Sequence, residues 1–153
     1  MLATVATVLA VDQVSKALVL GLHPAATGTG LVAVRLVRNT GASGGIAAGY
    51  PVLVTLAAAV IACVAGALAV RVTGRGVAIC LAAVLGGALG NLSDRLLRSP
   101  GLGRGAVVDW IHVAGRGGSF NVSDLAIQLG ALGALIGMLV AERASAARTR
   151  AAE

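Results

Sequence analysis

The sequence contains few aromatic or charged residues, and each shortage excludes a class of protein. Among its 153 residues there is one each of Phe, Trp and Tyr. These are too few to stack nucleic-acid bases, and the arginines are scattered at segment ends rather than gathered in a patch. Charged residues make up only 12% of the chain, roughly half the share of an ordinary soluble domain. We therefore expect neither a nucleic-acid partner nor a soluble globular domain.

Cysteine and histidine are also scarce, and their positions predict no metal or disulfide site. Cys63 and Cys80 each lie inside an apolar segment, without another Cys or His at the spacing of a zinc site. We expect both to be small buried residues. His23 and His112 are isolated and are predicted to be ordinary loop residues. The chain also lacks the HExxH and P-loop motifs of zinc peptidases and nucleotide-binding proteins.

Long apolar runs dominate what is present, since 58% of the residues are hydrophobic. About 20 apolar residues in a helix cross the hydrocarbon core of a bilayer. Four runs reach that length, at residues 1–22, 51–70, 77–97 and 121–141. We predict an all-α integral membrane protein with four transmembrane helices, in which residues 1–142 form one domain and 143–153 a polar cytoplasmic tail. The first run has no basic region before it, so we expect a retained helix rather than a cleaved signal peptide.

Two shorter segments predict a small β-sheet at the membrane surface. Residues 31–37 have the branched, partly alternating pattern of a strand and precede a turn signal at Asn39. A second short apolar run, VVDWI, occupies residues 107–111. Four spans place both termini on one side of the membrane. The positive-inside rule favours the cytoplasm for them, although arginines in the other loops nearly balance the count.

Ionisable residues within the spans are informative, because each costs a few kcal/mol in a bilayer unless it is paired or lines a wet cavity. Asp12 and Lys16 lie four apart on one face of the first helix, in the order that favours an ion pair. A neutralised pair at the interface and a functional role are both compatible with this spacing. Asn91, Asp94 and Arg95 close the third span. They form either a solvated helix end or part of a site, and their clustering favours a site.

Two carboxylates stand out in a chain with only six Asp and Glu residues. Asp109 follows a short apolar run, and Asp124 begins the fourth span, three residues after Asn121, a good N-cap. Asp109 could be an exposed loop carboxylate and Asp124 a residue that favours the helix dipole. If the glycine-rich loop between them brings the two together, they share one proton. One is then a base for water while the other polarises a carbonyl, which is aspartyl peptide hydrolysis without a metal.

Five motifs occur in order along the chain: DQVSK (12–16), NTGAS (39–43), GGALGNLSDR (86–95), VVDWI (107–111) and FNVSDLAI (120–127). Together they resemble the lipoprotein signal peptidases, the signal peptidase II family. The resemblance implies a membrane aspartyl endopeptidase with four transmembrane helices and a small extracytoplasmic β-sheet. It also implies a location in the bacterial cytoplasmic membrane, with the active site near the extracytoplasmic face. Such enzymes remove the signal peptide from a diacylglyceryl-modified prolipoprotein, cutting before the lipidated cysteine.

Matched motif by motif, the resemblance implies that Asp109 and Asp124 are the catalytic pair. It further implies a set of polar residues that bind the substrate or support the pair: Asp12, Lys16, Asn39, Gly41, Asn91, Asp94, Arg95 and Asn121. Gly44 stands where the family usually has Phe, and Ser123 where Ala is common. We expect no metal or cofactor, a lipid-modified prolipoprotein and membrane lipids as partners, and a monomeric enzyme.

Two other classes of protein compete with the peptidase. A small transporter or channel subunit would use its carboxylates as a proton or cation path and would place them near mid-membrane. A structural membrane subunit without chemistry would leave the clustered Asn, Asp and Arg residues unexplained, and a large distance between Asp109 and Asp124 would favour it. The position of these side chains in the fold therefore discriminates between the three.

Overall fold

The computed structural model describes residues 1–22, 31–42, 45–115 and 117–151. Within these ranges the elements are four helices and three strands: α1 (Leu2–Leu22), β1 (Val32–Asn39), α2 (Pro51–Ala69), α3 (Arg75–Leu97), β2 (Val107–Val113), β3 (Ser119–Phe120) and α4 (Val122–Ala151). All four helices are long and apolar enough to cross a membrane. The predicted fold class, a mainly helical multi-pass membrane protein with a small sheet, is confirmed.

The last helix is longer than the apolar run that predicts it. α4 has 30 residues and continues through the polar sequence after residue 141 to Ala151. Only about 20 residues are needed to cross the hydrocarbon core, and the side chains beyond residue 141 are exposed. Alanine and arginine, which are good helix formers, account for the continuation. The cytoplasmic location of this segment stays a prediction.

α3 is the central helix and packs against α1, α2 and α4. Glycines on the surface of α3 make these contacts close. A Cβ atom added to Gly86 would lie 2.9 Å from Val8 Cβ, and one added to Gly87 would lie 2.5 Å from the carbonyl oxygen of Ser123. Only glycine permits such close approach of neighbouring helices. The glycines therefore bring both α1 and α4 against α3.

Contacts along α3 fix the directions of its neighbours. Gly86 lies against Val8 and Asp94 binds Lys16, so residue numbers rise together and α1 is parallel to α3. Gly87 lies against Ser123, whereas a Cβ on Gly137 would meet Val77, so α4 is antiparallel. The start of α1 and the end of α4 therefore lie at one end of the bundle, as predicted for an even number of spans.

The three strands form an antiparallel sheet in the order β1-β2-β3. Val37 lies opposite Asp109 and Ile111 lies opposite Phe120. The predicted strand at residues 31–37 is confirmed as β1, displaced by one or two residues. Asp109 is thereby held in the central strand, beside the end of α3.

A loop between α3 and β2 attaches the sheet to the bundle. The N–H groups of Gly103 and Gly105 each donate to the carbonyl oxygen of Arg95 over 3.0 Å. The Thr55 hydroxyl on α2 donates to the Gly103 carbonyl oxygen over 2.7 Å. The end of α3, the start of α2 and the strand carrying Asp109 are thus one connected unit.

The prediction for the cysteines is partly wrong. Both are free, but Cys63 is exposed and Cys80 only half-buried. Cys63 lies on the outward face of α2, where an apolar residue faces lipid rather than a protein core. His112 is likewise not in a loop but in β2, and His23 lies outside the described residues.

Candidate active site

Asp109 is almost fully enclosed, with 2% of its surface exposed. Its two carboxylate oxygens accept hydrogen bonds from two different asparagines. Asn121 Nδ2 donates to Oδ1 over 2.7 Å, and Asn39 Nδ2 donates to Oδ2 over 3.0 Å. The sheet supplies Asp109 and Asn39, whereas Asn121 immediately precedes α4. Asp109 is therefore held from both sides.

Asp124 is the third residue of α4, where the predicted cap forms. Its backbone N–H donates to Asn121 Oδ1 over 3.0 Å, and its Oδ2 accepts from the backbone N–H of Asn121 over 3.2 Å. This reciprocal pair resembles a capping box and fixes the side-chain rotamer. Asn91 Nδ2 on α3 donates to the other oxygen, Oδ1, over 2.9 Å. The cap thus leaves Asp124 oriented toward α3.

The two aspartates meet in one cavity of about 330 Å³. Asn121 joins them, because its amide nitrogen binds Asp109 while its amide oxygen binds the N–H of Asp124. Much of the remaining lining comes from residues predicted to belong to the site, from apolar α2 side chains and from the β3 segment: Asn39, Gly41, Asn91, Arg95; Val54, Ala57, Ala58, Ile61; 117–120. A structural subunit would have been favoured by distant aspartates, and the two instead line one cavity.

Burial raises the pKa of Asp109 to about 6, and the negative charge of Asp124 adds to that effect. The hydrogen bonds from Asn39 and Asn121 favour the ionised form and limit the rise. A carboxyl group in this state exchanges its proton near neutral pH. In the described part of the chain, no three His, Cys, Asp or Glu side chains gather as metal ligands, and the oxygens of Asp109 are occupied by N–H donors.

Lys16 lies at the centre of a buried ion cluster next to the cavity. Its ammonium is 2.8 Å from Asp12 Oδ2 and 2.8 Å from Asp94 Oδ2, and all three side chains are fully buried. Arg98 Nε binds the second oxygen of Asp94 over 2.6 Å. None of these four residues lines the cavity. The pair on α1 is therefore not a snorkelling pair at the interface but part of the support behind the site.

The ion cluster binds the backbone next to each aspartate of the cavity. Asp12 Oδ1 accepts the N–H of Ser123, the residue before Asp124, over 3.0 Å. Asp94 Oδ2 accepts the N–H of Val108, the residue before Asp109, over 3.1 Å. The cluster thus fixes both chain segments that carry the pair.

Arg95 binds the loop after β1 rather than a carboxylate. Its guanidinium donates to the carbonyl oxygens of Thr40 and Gly41. A Cβ at Gly41 would lie 2.5 Å from the carbonyl oxygen of Ile46, so the loop closes tightly only around glycine. The direct partners of Arg95 are thus backbone carbonyl oxygens of the loop that borders the cavity.

The family profile described as signal peptidase (SPase) II matches residues 4–140, which is most of the chain. The chain belongs to the signal peptidase II family. The predicted family is therefore confirmed, and with it the prediction of a membrane peptidase of lipoprotein processing.

Individual relatives agree with the family match. The lipoprotein signal peptidase of Mycobacterium avium (strain 104) is 39% identical over 136 residues, covering 86% of this chain and 74% of the relative. That of Rhodococcus jostii (strain RHA1) is 45% identical over 104 residues, covering 67% and 51%. That of Streptomyces coelicolor is 41% identical over 99 residues, covering 63% and 47%. The matches to the last two extend over about half of those longer proteins.

Two solved structures share the fold. Both are described as bacterial membrane enzymes solved by the in meso method, at 2.3 and 1.9 Å resolution. The first aligns with a TM-score of 0.78 over 90% of this chain and 86% of the other, and the second with 0.74 over 90% and 91%. Each is 22% identical to this chain, so the likeness concerns the fold.

Three residues that pack behind the cavity were not predicted from the sequence to support it: Gln13, Arg98 and Ser123. Gln13 Nε2 donates to Asp12 Oδ2 and to the Gly90 carbonyl oxygen, each over 3.1 Å. Arg98 binds Asp94, and Ser123 supplies the N–H for Asp12. An amide inside an apolar span and an Arg four residues after Asp94 were usable signals for the first two. Gly44, the departure from the family pattern, lies outside the described residues.

Proposed function

We propose that this chain is an aspartic endopeptidase that removes the signal peptide from diacylglyceryl-modified prolipoproteins, cutting before the lipidated cysteine. Asp109 and Asp124 are its catalytic pair. One observation carries this proposal: two carboxylates from different elements converge on a single cavity and are joined by Asn121. Family membership and relatives named lipoprotein signal peptidase support the choice of substrate.

The chemistry follows from two adjacent carboxyl groups that share one proton. The ionised group accepts a proton from water, whose oxygen attacks the carbonyl carbon of the scissile peptide. The protonated group donates its proton to the carbonyl oxygen. Collapse of the tetrahedral intermediate breaks the C–N bond, and the amine leaves with a proton returned from the pair. The raised pKa of Asp109, about 6, favours a shared proton near neutral pH.

The supporting residues divide into two groups by their position. Asn39, Gly41, Asn91 and Arg95 line the cavity, so we assign them to contact with the substrate. Asp12, Lys16, Asp94 and Asn121 are buried outside its lining, so they hold the pair in place. Amide donors that remain fixed during the reaction stabilise charge without reorganising.

The cavity suits a substrate that arrives from the membrane. One wall consists of apolar α2 side chains: Val54, Ala57, Ala58 and Ile61. The opposite rim is formed by β3 and the segment before it. We place the sheet and this cavity at the extracytoplasmic face of the bacterial cytoplasmic membrane, with the other end of the bundle in the cytoplasm. We further propose that the enzyme acts as a monomer surrounded by membrane lipids.

The transport alternative gains no support from the carboxylates of α1 and α3. Asp12 and Asp94 are paired with Lys16 and Arg98 and do not line the cavity. A proton or cation path would need carboxylates that face a continuous wet passage. Asp109, in the sheet, and Asp124, at the start of α4, instead line one cavity.

A cleavage assay on the purified protein in detergent tests the substrate class. The substrates are a diacylglyceryl-modified prolipoprotein and the same precursor without its lipid, resolved by gel shift. We expect cleavage of the lipidated form alone. Equal cleavage of both forms would contradict the lipid requirement, and no cleavage by a folded protein would contradict the peptidase assignment for this chain.

A further inference from the structure

Three asparagine side chains present their NH₂ groups to the catalytic pair. Asn39 and Asn121 donate to Asp109, and Asn91 donates to Asp124. An asparagine amide can be rotated by 180° at almost no internal cost, which exchanges its donor and its acceptor. In the rotated state, an amide oxygen would face a carboxylate. A second hydrogen bond, to the amide oxygen, must therefore fix the orientation of each amide.

Each amide is fixed by a donor that occupies its oxygen, but the donors differ in kind. Asn39 Oδ1 accepts the backbone N–H of Gly41 over 2.9 Å, and Asn121 Oδ1 accepts the backbone N–H of Asp124 over 3.0 Å. Asn91 Oδ1 accepts instead from the Lys16 ammonium over 3.1 Å. The orientation of Asn91 is thus the one that depends on a side chain elsewhere in the bundle.

We propose that Lys16 is a positioning residue of the peptidase, which holds the Asn91 amide so that its NH₂ group donates to Asp124. Lys16 has only donors and no acceptor, so it can bind the oxygen of Asn91 and never its nitrogen. The ammonium is itself fixed by Asp12 and Asp94, 2.8 Å away on each side. This inference rests on the proposed function, because it assigns how that catalytic pair is oriented.

The same ammonium reaches the other aspartate through Asp94. Asp94 Oδ2 accepts both from Lys16 and from the N–H of Val108, which precedes Asp109. Lys16 therefore contacts both Asn91, which binds Asp124, and Asp94, which holds the segment of Asp109. It does not itself line the cavity. Its loss is expected to change turnover rather than substrate affinity.

A single substitution of Lys16 would leave Asp12 without a cation in a buried site, which is strongly destabilising. The test therefore uses the double variant Asp12→Asn/Lys16→Met, which removes one charge of each sign. Asp94 keeps Arg98, and an Asn at position 12 can still accept the N–H of Ser123. We expect a folded protein whose kcat falls about 100-fold, as for other displaced catalytic groups, with KM little changed.

A double-mutant cycle separates positioning from a general structural effect. The same pair of substitutions is introduced into Asn91→Ala, and turnover is measured under single-turnover conditions. We expect a much smaller further fall, because the amide that Lys16 orients is gone and Asp94 keeps Arg98 as a cation. A loss as large in the Asn91→Ala background as in the wild type would overturn the proposal, as would full activity of the double variant.

Arg98→Gln is the matched control within the ion cluster. It removes the other cation of Asp94 and leaves the contacts from Lys16 to Asn91 and from Asn91 to Asp124 intact. We expect a lower melting temperature and a fall in kcat much smaller than that of the double variant, because the contacts of Asn91 are kept. A fall in kcat equal to that of the double variant would show that any damage to the cluster suffices, and would overturn the specific role of Lys16.

Asn91→Asp tests the same orientation if the double variant does not fold. A carboxylate at position 91 still binds Lys16 and preserves the ion cluster, but it has no proton to donate to Asp124. We expect a folded protein with kcat lowered about 100-fold, and retention of kcat would overturn the proposal. Cleavage by the wild type in parallel separates these outcomes from failure of the proposed function, which would abolish cleavage in every chain.

Discussion

The two halves of the helix bundle are held together by different means. In the half nearer the termini, glycines of α4 lie against apolar residues of α3: Gly130 against Val84, Gly133 against Cys80, and Gly137 against Val77. In the half nearer the sheet, charged and amide side chains join α1 to α3, α3 to α4, and the residue preceding α4 to β2. Among the described residues, the first half has close backbones without polar contacts between side chains of different helices, and the second half has both.

The comparison shows why the close packing matters for the site. Asp and Asn have short side chains, so they meet across helices only where the backbones are close. Gly90 occupies that position, because an added Cβ would overlap Ser123 Oγ and lie 2.7 Å from Asp12 Oδ2. Small-residue packing thus brings the helices together, and in the polar half the short distance lets side chains hold the proposed catalytic pair.

The largest effect is expected where the two halves join, at Gly87. In Gly87→Ala the new Cβ would lie 2.5 Å from the Ser123 carbonyl oxygen and 3.0 Å from Ile127. Displacing the start of α4 should lower the free energy of unfolding by about 3 kcal/mol, as in other overpacked cores, and reduce cleavage. Gly76→Ala is the control, because its Cβ would meet nothing within 4 Å. Equal melting temperatures in detergent would contradict the importance of this contact.

A smaller effect is expected from pH, through the carboxyl group of Asp109. Its pKa is raised to about 6 in the folded protein, so the folded state holds a proton that the unfolded state loses near pH 4. Stability from this group is full below the unfolded pKa and is lost as the pH rises through the folded one. Between about pH 4 and 7 the loss is about 2 kcal/mol.

Melting curves of the wild type and Asp109→Asn measure this effect. The wild type should lose more stability than the variant as the pH rises over that interval. Parallel pH dependence of the two proteins would show that Asp109 is not desolvated in the folded state.

The smallest effect is expected at Ser123, whose buried hydroxyl has no hydrogen-bond partner in the described part of the chain. Ser123→Ala removes an unsatisfied polar group and should raise the free energy of unfolding by about 1 kcal/mol. Thr55→Val removes a hydroxyl that donates to Gly103 and should lower it by about the same amount. Changes of the same sign in both variants would contradict this contrast.

Features set by residues close together in the sequence were predictable. The four spans follow from the lengths of the apolar runs, and the Asn121 cap with Asp124 follows from a spacing of three. Motif order identified the family, and the predicted pairing of Asp12 with Lys16 is confirmed.

Contacts between distant helices were not predictable in the same way. The binding of Lys16 to Asp94 and Asn91, and of Arg95 to the loop carbonyls, depends on how the helices are aligned along the bundle. Apolar periodicity does not specify that alignment, because glycines and alanines occur on several faces. Exposure of Cys63 was missed for a related reason, since an apolar residue in a span faces either protein or lipid.

The most direct test of the central claim is the turnover of Asp109→Asn and Asp124→Asn, measured by gel shift on the lipidated prolipoprotein. Melting temperature and gel filtration in detergent serve as the control for folding. Both variants should fold and lose turnover by about 10⁴-fold or more, the scale for removal of a catalytic group. Substantial turnover by either folded variant would contradict the assignment of Asp109 and Asp124 as the catalytic pair.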